Sequence, residues 1–164
     1  MTQHSLNPVQ QTLLRAIQIE ARNGGLYESL AAIFAGYEES VVAMFREMAD
    51  EERQHGAQLG KRYQARFGAI PPVSGDPTDV IEAPDLDDAE ALVFDSMTLE
   101  HALKCGLRAE EMARAFYNRE AAGAADPDLQ LLYRELGEFE ETHVQVLQEK
   151  LADNKKKAAS SNSR

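Results

Sequence analysis

The chain has 164 residues, 43% of them hydrophobic and 27% charged, a size and balance that suit one folded domain and exclude a disordered chain. Its formal net charge is −11, and the only basic cluster is the KKK at 155–157, so binding to a phosphate backbone is disfavoured and nucleic acid is not an expected partner. No run approaches about 18 apolar residues, the N-terminus lacks the basic and apolar segments of a leader, and a single cysteine, Cys105, excludes both an internal disulfide and a Cys-x-x-Cys metal site; a cytoplasmic protein with no membrane partner is expected.

Apolar positions recur at intervals of three and four, which predicts helices and almost no strand. The first helix is expected to start at Asn7, with Pro8 in its first turn, and to run to about Gly36. Its apolar stripe is Leu13, Ile17, Gly24, Tyr27, Ala31 and Phe34. Gly24 and Gly25 either break it or admit a neighbouring helix closely. The second helix is predicted from about Glu38 to Phe67, with Gly68 as its stop.

Composition then changes. The segment GAIPPVSGDPTDVIEAPDLDD, residues 68–88, holds four of the six prolines, so it reads as an extended connection that can carry the chain from one end of a bundle to the other. A third helix is predicted from Asp87 or Asp88 to Gly123. Asp126 and Pro127 form a second cap and first-turn pair. The fourth helix is expected to end near Asp153, closing one domain over residues 1–153 and leaving 154–164 as a disordered polar tail.

The two halves repeat. FREMADEERQH at 45–55 aligns with YRELGEFEETH at 133–143, and EARNGGLY at 20–27 aligns with EEMARAFY at 110–117. Four matches fall in register: Glu20 with Glu110, Tyr27 with Tyr117, Glu52 with Glu140, and His55 with His143. The interval from Glu20 to Glu52 is 32 residues and that from Glu110 to Glu140 is 30, which describes a duplicated helical hairpin. Each of these Glu and His residues interrupts an apolar stripe and is expected to face inward, whereas Glu51 and Glu141 are turned about 100° away, toward solvent.

Burying four carboxylates with two imidazoles costs several kcal/mol per ion unless a positive charge lies among them. No Lys or Arg occupies those stripes. Two Glu-x-x-His pairs plus two further Glu supply six side chains for two divalent cations, whose charge the carboxylates balance. Carboxylate and imidazole without thiolate suit iron or manganese, with zinc as a competitor.

These motifs resemble the ferritin-like superfamily, specifically the rubrerythrin and erythrin group of di-iron carboxylate proteins, over residues 7–152. The resemblance implies an all-α, antiparallel four-helix bundle of two hairpins joined by a long crossover. It also implies two Fe ions held by Glu20, Glu52, His55, Glu110, Glu140 and His143. In that reading Glu52 and Glu140 bridge the metals, His55 and His143 each cap one, and Tyr27 and Tyr117 stand behind the ligands, a place that core packing explains equally well. The implied activity is reduction of peroxide or O2 with an external electron donor, in a homodimer or small homo-oligomer. Ferroxidation coupled to iron storage uses the same ligands, and a structural, zinc-filled bundle is a further reading. The chain departs from that group in lacking a rubredoxin domain and in carrying Ala113 where the group has an extra Glu. Glu100, near the inner line of the third helix, is read as a polar residue of a helix end. His4, His101 and Cys105 receive no role.

Overall fold

The computed structural model of the chain describes residues 6–72 and 98–161. Among these residues there are four α-helices and no strand: α1 (Pro8–Ile33), α2 (Glu39–Phe67), α3 (Leu99–Gly123) and α4 (Pro127–Ser161). They fall into two compact units, residues 1–83 and 84–164. Each unit is a helical hairpin, α1 packed on α2 in the first and α3 on α4 in the second. None of the helices is long and apolar enough to cross a membrane.

The ends of α1 follow from local chemistry. Asn7 has an extended backbone, its side chain accepts from the Gln10 amide at 2.9 Å, and the Gln10 side chain accepts from the Asn7 amide at 3.1 Å. That reciprocal box satisfies two amide donors that a helix start otherwise leaves unbonded, and Pro8 occupies a position where its missing N–H costs nothing. α1 stops at Ile33, three residues before the expected end, and the chain turns through Gly36 at a φ of 83°, a region that only glycine enters without strain. α2 ends as read from the sequence, with Gly68 at a φ of 82° just past Phe67.

α1 does not break at its glycine pair. A Cβ on Gly24 would stand 3.4 Å from the Cβ of Glu52, whereas Gly25 has nothing within 4 Å. Gly24 is therefore the residue that lets α2 approach, and Gly25 is a local weakness that the hairpin tolerates.

In the second unit α3 begins at Leu99. Thr98 is extended and its hydroxyl accepts from the His101 amide at 3.2 Å. The helix expected from Asp87 or Asp88 is thus not continuous through position 98. Residues 73–97, including that start and most of the connection, lie outside the described residues. Asp126 caps α4 by accepting from the amides of Asp128 and Leu129, as its pairing with Pro127 predicts. α4 continues to Ser161, eight residues past the expected stop at Asp153, while residues 162–164 of the expected tail lie outside the described residues. The run LADNKKKAASS contains neither Gly nor Pro, and Ala, Leu and Lys make up most of it. All three are good helix formers.

The aromatic cores of the hairpins repeat in register. Tyr27 stacks on Phe45 with centroids 6.0 Å apart at 20°, and Tyr117 stacks on Tyr133 at 6.3 Å and 25°. Phe45 and Tyr133 occupy the same position of the two repeats. Offset stacking of buried rings adds about 1 kcal/mol to the area each ring removes from water. In both hairpins it fixes the two helices about two turns away from the interrupting carboxylates.

Candidate metal centre

On α1, positions 20, 24 and 27 share one face, so Glu20 points where Gly24 and Tyr27 point. On α2, Glu52 and His55 are three residues apart and share a face with Met48 and Leu59. Packing these faces together buries Glu20 to 1% exposure, Glu52 to 0% and His55 to 6%. The helices meet at two glycines, Gly24 against Glu52 and Gly56 against Glu20, whose Cβ would lie 3.5 Å from one added at Gly56. His55 Nδ1 stands 3.3 Å from Glu20 Oε2. Glu20, Glu52 and His55 each offer a ligand atom within 4.8 Å of the others.

The second hairpin builds the same group from Glu110 and Glu140, both at 0%, and His143 at 3%. His143 Nδ1 lies 3.4 Å from Glu110 Oε2 and 3.8 Å from Glu140 Oε2. Its three ligand atoms are again within 4.8 Å of one another. The first hairpin's contact between its early Glu and its late His is thus reproduced to 0.1 Å, the difference between 3.4 and 3.3.

Those nitrogen–oxygen separations are informative. They exceed the usual 2.7–3.2 Å of an N–H···O hydrogen bond. Two donors about 2.1 Å from one ion and roughly at right angles would stand about 3 Å apart. The charge points the same way. Among the described residues the buried polar or charged side chains are Glu20, Asn23, Glu52, His55, Glu110, Glu140 and His143, with no Lys or Arg. Four carboxylates in such surroundings call for cations that the chain does not itself supply. Hard oxygen donors with one imidazole per half fit a divalent transition metal.

Tyr27 and Tyr117, both fully buried, pack as the aromatic pairs described above. The neighbouring acidic residues separate from the site as the repeat, taken together with their helical phase, predicts. Glu51 is half-buried. Glu141 pairs with Arg114 of α3, and the hydrogen bonds from Arg114 and Gln145 hold its carboxyl below the usual carboxylate range. Glu100 pairs with Lys104 at 2.7 Å, and that hydrogen bond likewise lowers its pKa. It is a surface residue of the first turn of α3. His101 is exposed. Cys105 is half-buried, and burial pushes its thiol pKa up against the opposing charge of Arg108.

The sequence reading missed Asn23. Its side chain is at 0% exposure, and among the described residues neither its carbonyl oxygen nor its amide nitrogen has a hydrogen-bond partner. An unsatisfied buried amide costs about 1–3 kcal/mol. The available signal was its spacing, three residues after Glu20 on the inner face. The repeat concealed it, because the matching residue of the second hairpin is Ala113.

The family model described as Rubrerythrin matches residues 11–151. No curated protein gives a significant match. Among solved structures, an uncharacterized conserved protein from Magnetospirillum magnetotacticum MS-1 is similar at 24% identity and a TM-score of 0.71, over 90% of this chain and 95% of that one. A hypothetical protein from Pyrococcus furiosus is similar at 22% identity and a TM-score of 0.64, over 87% of each chain. At such identities the likeness speaks for the fold, which is all-α and ferritin-like. Matched over nearly its whole described length, the chain belongs to the Rubrerythrin family.

Proposed function

We propose that the two hairpins together hold a dinuclear iron centre at which peroxide or O2 is reduced. In this reading Glu20 and Glu110 are terminal carboxylate ligands, Glu52 and Glu140 bridge, and His55 and His143 bind one ion each. The observation that carries it is the identity of the buried polar set. Six of its seven members are two copies of the same Glu, Glu, His group, one per hairpin, with no buried Lys or Arg among the described residues to neutralise them. The chemistry that bound iron supplies is one-electron donation from each of two ferrous ions, and two electrons with two protons convert peroxide into two waters.

The residues contribute three things. The four carboxylates match the charge of two divalent ions and favour the higher oxidation state once electrons have left. The imidazoles add neutral donors, which keeps the centre from accumulating further negative charge. The Glu and His residues of each half are themselves no more than 6% exposed, so a small oxidant meets dry surroundings. An external donor returns the electrons. A homodimer or small homo-oligomer in the cytoplasm is the expected working form.

Mixing anaerobic, Fe2+-loaded protein with one equivalent of peroxide in a stopped-flow spectrometer is expected to develop a ferric charge-transfer absorption. Glu52→Ala and Glu140→Ala should each abolish it. Absence of the absorption, or its persistence in both variants, contradicts the proposal. A particle of about 24 subunits in solution would instead favour storage.

A further inference from the structure

Asn23 stands one turn after Glu20 on the inner face of α1, with Tyr27 one turn beyond it. All three are buried, and among the described residues neither polar side-chain atom of Asn23 has a hydrogen-bond partner. The corresponding residue of the second hairpin, Ala113, is equally buried and offers no polar atom. The residues beside the ligands also differ. Gly24 and Gly56 flank the carboxylates of the first hairpin, whereas Arg114 and Val144 occupy those positions in the second. The two half-sites therefore share their Glu and His residues and differ in what stands beside them.

We propose that Asn23 is a seventh donor, its side-chain carbonyl oxygen joining Glu20, Glu52 and His55 on the ion of the first hairpin, so that the two ions are bound unequally. This rests on the metal-binding reading and adds to it. An amide oxygen is a hard, neutral donor suited to a divalent ion that already has carboxylate ligands. Being neutral, it adds a donor without disturbing the balance between four carboxylates and two divalent cations. Coordination also gives the orphaned carbonyl a partner. With one more oxygen, the first hairpin is the tighter site.

The test is an anaerobic Mn2+ titration in competition with a chromophoric chelator, run on the full chain and on Asn23→Ala, Asn23→Asp and Ala113→Asn, with melting of each metal-free protein recorded. The intact chain should take up two Mn2+ in two unequal steps. Asn23→Ala should weaken the tighter step by about tenfold, the scale on which single groups supporting a metal site act, and leave the weaker step and the metal-free melting temperature undiminished. Asn23→Asp should tighten the stronger step, and Ala113→Asn should tighten the weaker one. If Asn23→Ala leaves both steps unchanged while the intact chain binds two ions, only the role of Asn23 is overturned. That role is equally overturned if Asn23→Ala and Asn23→Asp weaken binding alike and both lower the metal-free melting temperature, since such a pattern marks packing. If the intact chain binds no Mn2+, Fe2+ or Zn2+, the metal-binding reading and this inference fail together.

Discussion

Stripping the metal from the loaded protein is expected to lower its melting temperature by roughly 10–20 °C. An ion present at about a hundred times its dissociation constant stabilises the state that binds it by about 2.7 kcal/mol, so two such ions contribute roughly 5 kcal/mol. In a chain of this size each kcal/mol moves the melting temperature by about 2–4 °C. The direction follows from the charges. Without metal, Glu20, Glu52, Glu110 and Glu140 remain buried with two imidazoles and no buried Lys or Arg among the described residues. Calorimetry before and after chelation, followed by re-addition of Fe2+ or Mn2+, measures the effect and its reversal. A melting temperature indifferent to chelation would mean that these carboxylates do not bind the ions.

Phe45→Ala should be the most damaging change away from the carboxylates, at about 3–5 kcal/mol. The Phe45 ring is fully buried, stacked on Tyr27 at 6.0 Å and tilted against Phe34 at 6.4 Å. Its removal opens a cavity between α1 and α2 about two turns from Glu52, so loss of metal affinity should accompany the loss of stability. Phe139→Ala is the control: Phe139 lies next to Glu140 in sequence but is 51% exposed, and its truncation should change stability by no more than about 0.5 kcal/mol. Denaturant unfolding of both variants checks the pair. Equal losses would contradict the assignment of the inner and outer faces of these helices.

Much of this arrangement was legible because two independent signals coincided. Helical phase alone cannot choose between Glu51 and Glu52 at the edge of an apolar stripe. The repeat can, since Glu51 aligns with Phe139 and Glu52 with Glu140, and the structure leaves Glu51 half-buried while burying Glu52 completely. Caps were readable wherever side-chain chemistry marks them, as at Asn7–Pro8 and Asp126–Pro127. The start of α3 at Thr98 was not, because DSMTLEH carries no proline or glycine and Thr is a weaker cap than Asp or Asn. The continuation of α4 past Asp153 was missed for a different reason. A lysine-rich terminal run looks like a solvated tail, yet Lys and Ala are good helix formers and a helix already nucleated extends through them cheaply. Asn23 illustrates the limit of reading by repeats, since the same comparison that isolates shared ligands hides a donor present in one half.

Whether the chain holds a dinuclear iron centre is best decided by anomalous scattering from a crystal of the iron-loaded protein, collected on both sides of the iron edge. Two iron peaks per chain are expected. One should lie within about 2.2 Å of a ring nitrogen of His55 and the other at the same distance from His143, with Glu52 and Glu140 contacting both. An iron-loaded crystal without iron density at the two histidines, or with iron only on surface carboxylates such as Glu51 and Glu141, would contradict such a centre.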